Sequence, residues 1–185
     1  MKVKDIIKIS ATLLAKDNVA GYLTTEGAQA DKNTLREINV LITLLNGLLT
    51  ELASTYVPMQ KIEQTGGATE IEFCNLSENA IRIIDAQDKD KNSINYVHHT
   101  KSIKTSSPCY YLVYEYIPTQ YDLEDSIGYD PKDITETIIA YGLCAEYCIT
   151  EARYSEAIVF HEKYVEGIKS RKQTKNGKTV ARQWM

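Results

Sequence analysis

The chain is sparing with the residues that cradle phosphate, cross-link small domains or stack on nucleic acid. Its 185 residues include 9 glycines, 4 prolines, 4 cysteines, 3 histidines, 2 phenylalanines and 1 tryptophan. Glycine-rich phosphate loops are absent, because Gly66-Gly67 lacks both the spacing and the following Lys-Ser/Thr. There is no HExxH, no GxSxG, no EF-hand spacing and no CxxC pair. Positive charge is not in surplus: 21 bases face 25 acids for a net charge of −4, which argues against a general nucleic-acid binder. No run approaches the ~20 apolar residues of a membrane span. The opening MKVKDIIKIS is charged through its first turns and carries no cleavage site, so a signal peptide is not expected. No internal repeat or low-complexity segment is visible. What remains is a soluble cytoplasmic protein of one domain, or one domain with an insertion. Such a chain buries roughly 70% of its unfolded surface and needs no staples.

The few reactive side chains read as structural. Cys144 and Cys148 stand four apart on one helix face, but a tetrahedral zinc site needs two more ligands. With Cys74 and Cys109 they fit small buried hydrophobes in a reducing cytosol. His161 could reach Cys144 or Cys148 across a helical hairpin, yet no orienting acid or oxyanion donor accompanies the pair. His98 and His99 fall near a strand end and are expected in solvent. No catalytic residue, cofactor or metal is expected.

Hydrophobic periodicity places helices at both chain ends. Residues 3–16 carry Val3, Ile6, Ile7, Ser10, Leu13 and Leu14 on one stripe, and a short helix is expected at 18–24. The strongest signal is 34–56, where Leu35, Ile38, Ile42, Leu45, Leu49, Leu52 and Tyr56 alternate steps of three and four. Leu41, Leu44 and Leu48 widen that stripe. Asn33 or Thr34 is expected to cap it, with Glu37 completing a capping box. Pro58 ends it near Val57.

Between 57 and 118 the period changes to that of strands. TEIEFC (69–74), AIRIID (80–85), SINYVH (93–98) and CYYLVYEYI (109–117) are rich in β-branched and aromatic residues. Gly66-Gly67 and DKDKN (88–92) read as turns. Cross-strand aromatic pairs from Tyr110, Tyr111, Tyr114 and Tyr116 are expected to hold this module.

An acidic loop, 118–131, follows. From Asp122 to Glu136 there are six acids against Lys132 alone. Pro131, with Asp130 as cap, is suited to open a helix over 131–150 that buries Ile134, Ile138, Tyr141, Ala145 and Cys148. Its small-residue centre, AYGLCAEYC, lets a neighbouring helix come close. After a break at 152–154, Ser155 caps a last helix with Ile158, His161, Val165 and Ile168 on its buried face, completing an αα-hairpin. Helix 34–56 is expected to pack on this hairpin. Past Glu166 there are no acids, and Lys169, Arg171, Lys172, Lys175, Lys178 and Arg182 make a basic tail with a turn at Asn176-Gly177. Its lone Trp184 is a candidate anchor in another surface.

The order of these elements resembles a known family. The tract IAYGLCAEYCITEARYSEAIVFHEKYVEGIKS, within 138–170, resembles the paired helices near the C-terminus of bacteriophage head–tail connector proteins, or adaptors, which form the ring beneath the portal. DIIKISATLL (5–14) and LREINVLITLLNGLLTELASTYVP (35–58) resemble their opening helices, and VARQWM resembles the basic extensions with which they grip the portal. The resemblance covers both helical ends, a little over half the chain.

It implies an α+β protein: one connector-like domain over 1–185, with a helical bundle frame from both chain ends (1–56 and 131–170). A small antiparallel β module is inserted at 57–118, and a tail occupies 171–185. It further implies a virion structural protein rather than an enzyme, made in the host bacterial cytoplasm and placed at the head–tail junction. Its partners would be further copies in a ring of twelve, the portal, and the next neck or tail protein. DNA would pass through the channel without specific binding. Lys169, Arg171, Lys172, Lys175, Lys178, Arg182 and Trp184 would contact the portal or a neighbouring copy, with that tail extended from 169 onward. Asp122, Glu124 and Asp125 would line the channel, since a wall without basic counter-charges lets phosphates slide. The alternatives are another neck ring (stopper or tail terminator) and a small cytoplasmic nucleic-acid-binding or regulatory protein that uses the basic tail. A cysteine- or metal-dependent enzyme is a further, weaker reading.

Overall fold

A computed structural model describes residues 1–25, 29–129, 132 and 134–175, the last five of these by their helical path alone. The fold is α+β, with helices at both ends of the chain and an antiparallel four-stranded sheet inserted between them. Two compact units result: Met1–Leu48 with Tyr121–Met185, and Leu49–Gln120.

In the helical unit, α1 (Val3–Leu13) buries Val3, Ile6, Ile7, Ser10 and Ala11, while Leu13, expected on this stripe, is exposed. It ends three residues earlier than the pattern suggests. Ala15 adopts φ +55°, and the Lys16 N–H donates back to the Ala11 carbonyl at 2.8 Å. This is a left-handed helix stop without its usual glycine. Helix α2 (Asp17–Thr24) buries Val19 and Leu23.

Helix α3 (Lys32–Glu51) begins one turn-residue before the expected caps. Asp31, not Asn33 or Thr34, caps it: its Oδ1 accepts the Thr34 N–H at 2.6 Å, which also holds the Asp31 carboxyl below its ordinary pKa. Ile38, Leu41, Leu45 and Leu48 are buried, but Leu35 is turned out. The last turn, Leu52–Tyr56, widens into a π-turn closed by Val57 N–H on the Leu52 carbonyl at 2.8 Å. The Ser54 hydroxyl donates to the Thr50 and Glu51 carbonyls there, which loosens the regular ladder just before Pro58 stops it. The continuous helix Lys32–Tyr56 is long and apolar enough to cross a membrane by length and composition, contrary to the sequence expectation. A core helix meets the same test, and this one buries one side.

Helix α4 (Glu136–Thr150) starts five residues later than expected, after Thr135. Asp130 and Pro131 lie outside the described residues. It is buried nearly all round by Ile139, Ala140, Gly142, Leu143, Cys144, Ala145, Tyr147 and Cys148, whereas Ile138 and Tyr141, expected in its core face, are half-buried. A helix without a polar side is a central helix. Small residues set its spacing. A Cβ on Gly142 would sit 2.9 Å from Leu48 Cδ2 of α3 and 3.0 Å from the Tyr164 ring of α5 (Tyr154–Lys175), so three helices meet at that backbone. Leu48 is thus a point where the long helix reaches the hairpin, while the helices that lie close along α4 are α1 and α5.

The α4–α5 turn repeats the device at the end of α1. Ala152 takes φ +57°, and the Arg153 N–H donates to the Cys148 carbonyl at 2.8 Å. Ser155 therefore lies inside α5 rather than capping it. The buried face of α5 is Ala157, Tyr164 and Ile168, while Ile158 and His161, expected there, are exposed and Val165 is half-buried.

In the sheet unit, β4 (Ser102–Ile117) is central. β1 (Met59–Glu72) pairs along one side; β2 (Asn79–Gln87) and the short β3 (Tyr96–His98) pair along the other, all antiparallel. Gly66-Gly67 does not turn the chain. The two residues, at φ +64° and +85°, form a bulge inside β1, between the Gln64–Tyr111 and Ala68–Cys109 pairs. Gly67 also lies where a Cβ would meet the Tyr110 ring at 3.2 Å. The DKDKN segment does turn: Asp88 Oδ1 accepts the Asp90 and Asn92 N–H groups, and Lys91 takes φ +63°. Among the described residues, none of Tyr110, Tyr111, Tyr114 and Tyr116 meets an aromatic ring on another strand. Tyr114 and Tyr116 contact each other edge-on within β4, opposite Lys61 and Met59.

Leu45 and Leu49 are both essentially inaccessible. Replacing either with Ala is expected to cost about 2–5 kcal/mol in urea denaturation. Gly142→Ala is expected to destabilise by about 1–3 kcal/mol through overpacking. Gly21→Ala, with nothing within 4 Å of the new Cβ, is expected to stabilise by about 0.5–1 kcal/mol.

Candidate functional site

The acidic loop is an ordered structure tied to the start of the chain. Asn46 of α3 clasps the Tyr121 backbone, donating to its carbonyl at 3.0 Å and accepting its N–H at 2.8 Å. Asp125 Oδ2 accepts the Asp122 N–H at 2.7 Å, closing a turn. The Asp125 carbonyl then accepts the Val3 N–H at 3.1 Å, and Ile127 N–H donates to the Met1 carbonyl at 2.8 Å. The loop thus satisfies an amide that α1 leaves open at its first turn. Asp122, Glu124 and Asp125 are all exposed, and Glu124 faces Lys4 at 3.8 Å.

The basic tail is helical further than expected. Lys169, Arg171, Lys172 and Lys175 belong to α5 and are not extended chain; Lys169 is exposed. Lys178, Arg182, Trp184 and the Asn176-Gly177 turn lie outside the described residues.

Cys109, Cys144 and Cys148 are buried and Cys74 is exposed. Burial pushes the Cys144 thiol up to about 12, and its Sγ donates to the Ser10 carbonyl at 3.7 Å. Such a thiol is inert. His161 is exposed beside Tyr164, so no Cys–His pair forms. Among the described residues, no three His, Cys, Asp or Glu side chains converge as a metal site.

Two polar clusters were not foreseen. Lys16, at the end of α1, donates to Glu37 at 2.8 Å and lies 4.8 Å from the Tyr147 ring centre. Burial pulls this ammonium down, but Glu37 and Tyr147 together outweigh it and hold its pKa above the ordinary value. Glu37 was expected to serve its own helix cap. It instead joins the α1–α2 turn to α3, taking a second bond from Asn18 at 3.0 Å. In the sheet unit, Glu63 of β1 accepts the Tyr114 hydroxyl at 2.6 Å, the Ser77 hydroxyl at 2.8 Å and the Ser77 N–H at 3.1 Å. This strap fixes the 73–78 connection that carries the chain from β1 past β4 to β2. Neither cluster has a periodic signature, because its members come from different elements.

The remaining surface feature is apolar. Ile149, Tyr154, Ile158 and Val159 are exposed at the tip of the hairpin, Leu35 and Val40 on α3, and Ile62 and Val97 on the sheet. Monomeric proteins scatter such residues singly, whereas groups of them mark contact surfaces.

Compared with known proteins, the chain matches no family model, and no curated protein sequence matches it.

The Glu63 strap makes stability depend on pH at both ends. Burial alone would raise the Glu63 pKa, but the bonds from Tyr114 and Ser77 outweigh it and hold the carboxyl below the ordinary value. Burial and the Glu63 carboxylate push the Tyr114 hydroxyl up to about 12. The Glu63 contribution is therefore present above the ordinary carboxylate pKa and fades as pH falls through the lowered one. That of Tyr114 is present below the ordinary tyrosine pKa and fades as pH rises through about 12. Glu63→Gln is expected to cost about 1–2 kcal/mol at neutral pH. Urea midpoints measured across pH should show a smaller loss on acidification in the variant than in the wild type; equal slopes would remove the carboxylate from this role.

Proposed function

We propose that the protein is a bacteriophage head–tail connector, or adaptor. It is a structural virion protein, made in the host cytoplasm, whose copies close into a ring of twelve beneath the portal. The ring joins the portal to the next neck or tail protein and lets DNA pass. The observation that carries the reading is the set of large apolar side chains one copy leaves in water on separate elements, led by Ile62, Val97, Tyr154 and Ile158. A ring needs two different contact surfaces on each copy, and further surfaces for the layers above and below. The helices at both ends around an inserted sheet are in keeping with the resemblance of 5–14, 35–58 and 138–170 to connectors. The exposed, ordered acids Asp122, Glu124 and Asp125 suit a wall that DNA slides past.

In this reading the basic segment from Lys169 to Arg182, with Trp184, docks on the portal or a neighbouring copy. Deleting 174–185 should leave the fold intact by circular dichroism yet prevent addition to portal-bearing heads. Imaging of labelled protein in purified phage particles should place it at the head–tail junction. A truncated protein that still joins heads normally would remove the anchoring role. Absence from particles, with recovery on cellular nucleic acid, would favour a nucleic-acid-binding protein.

A further inference from the structure

We infer that the C-terminal segment of one copy, residues 176–185, adds as a further strand to the free side of β1 in a neighbouring copy. The inference rests on the reading above for the neighbouring copy and names the surface its tail would take. β1 is an outer strand: the order β1-β4-β2 gives it β4 on one side and no strand on the other. In an antiparallel ladder alternate residues aim their N–H and C=O at the partner, and the rest aim them away from it. Among the described residues, no backbone group outside β4 hydrogen-bonds to residues 60–72. Open edges are ordinarily blunted by brevity, proline or lysine. β1 runs for 14 residues, contains no proline, and spends its one lysine, Lys61, on Glu78 at 3.3 Å. Only the Gly66-Gly67 bulge interrupts it, leaving two regular stretches, 60–64 and 68–72.

A groove of about 520 Å³ follows this strand, between Glu63, Ala68, Glu70 and Glu72 of β1 and Asn75 and Leu76 of the connection beyond it. Its described lining has three carboxylates and no base, and no residue of β4 takes part, so it runs along the open side. Among the described residues none of the three carboxylates forms an ion pair. Lys104 of β4 opposes Glu70 in register, yet the Glu70 carboxylate takes the Ser102 hydroxyl at 3.4 Å instead, and neither Lys104 nor Lys101 lines the groove. Charge then selects the occupant. A second β1 would set Glu63, Glu70 and Glu72 against their own kind. Nucleic acid would bring phosphates to a wall without counter-charges. The segment 176–185 has Lys178 and Arg182, no acid and no proline, and its Thr179, Val180 and Trp184 favour a strand. Length permits the match: ten extended residues reach about 33 Å, and the 68–72 stretch is about 17 Å long. Ile62, 66% exposed beside the same edge, offers the added strand an apolar contact. Main-chain bonds would supply the hold, and the flanking side chains the choice of partner.

Sedimentation velocity on the full chain, over a range of protein concentrations, tests the contact. The wild type should self-associate. Glu70→Lys/Glu72→Lys and Lys178→Glu/Arg182→Glu should each weaken association by about tenfold or more. An equimolar mixture of the two variants should restore it, since each reversed element then meets its complement; circular dichroism checks that both remain folded. A synthetic peptide of residues 176–185, fluorescently labelled, should bind the full chain by anisotropy and, in excess, disperse its assemblies. N-methylation at Thr179, Ala181 and Gln183, or at Lys178, Val180 and Arg182, removes the N–H groups of one side of a strand only. One of these two peptides should lose binding while the other keeps most of it. A wild type that stays monomeric up to its solubility limit overturns the contact, as does association that both variants keep or a mixture that stays dissociated. A scrambled peptide that binds as well as the native order, or equal behaviour of the two methylated peptides, overturns strand addition. Particle imaging fails or succeeds separately: the contact can stand in a protein absent from virions, and a virion protein can assemble by other faces.

Discussion

The helical unit depends on how closely other helices approach α4. That closeness is set by missing side-chain volume. Gly142 offers its bare backbone to Leu48 and Tyr164, and Gly167 offers α5's to Ile138 at a distance where a Cβ would clash. On another side, Ser10 of α1 keeps its hydroxyl satisfied by donating to the Ile6 carbonyl at 2.9 Å, with the Ala140 carbonyl at 3.5 Å, so it can be buried at no polar cost. The Cys144 thiol fills the same contact. Its burial, and the rise in its pKa, follow from packing. The chemistry that two cysteines one turn apart suggest on paper is spent as volume.

The sheet unit obeys a different constraint. A connection that joins β1 to β2 must travel past the strand lying between them. Its backbone pairs at its start, where the Phe73 N–H donates to the Lys101 carbonyl at 2.9 Å, and side chains hold the rest. Glu63 does so by accepting three hydrogen bonds, and Lys61 supports it by reaching Glu78 at 3.3 Å. On the β2 side, Arg82 reaches Glu115 at 2.7 Å, where Glu115 is nearly buried and the guanidinium remains largely in solvent. Bulges shift the register in both β1 and β2, and each adds twist around β4. The β2 register shifts fall at Ile81 and Ile84, which oppose no residue of β4, and both are exposed despite their β propensity.

Element type was legible along nearly the whole chain, because apolar spacing and β-branched content differ clearly between the ends and the middle. The stops were not. Ala15 and Ala152 hold the left-handed positions where glycine ordinarily announces a helix end; the apolar pattern runs on across Ala15, whereas at 152–154 the break is legible but not the left-handed residue that makes it. Gly66-Gly67 misled in the opposite sense: the residue pair is real punctuation, but a bulge and a turn demand the same positive φ. Asp31 was hidden because it precedes the apolar run by more than a cap usually does. Among the candidate site residues, the acids of the 122–125 loop were visible as charge. Their attachment to the first turn of α1 was not, since it joins residues more than a hundred positions apart through backbone groups.

The stripe on α5 exposes the limit of periodicity itself. Ile158, His161, Val165 and Ile168 repeat at helical spacing, yet the helix turns Ile158 and His161 outward and buries Ala157 and Tyr164 instead. A repeat reports that one side of a helix is meant to leave water. It does not report whether the same chain supplies the cover. Where a helix has two such sides, the inner one is chosen by fit. Here the Tyr164 ring lies against Gly142, so close that a Cβ on that glycine would come within 3.0 Å of it. The rejected stripe keeps its apolar composition all the same. Solvent alone gives no reason to retain Tyr154, Ile158 and Val159 together at a hairpin tip, and surface positions without a partner tolerate polar residues at little cost. The mismatch between pattern and burial is therefore itself the argument for assembly: the half of the pattern that the fold leaves uncovered is the half a partner would cover.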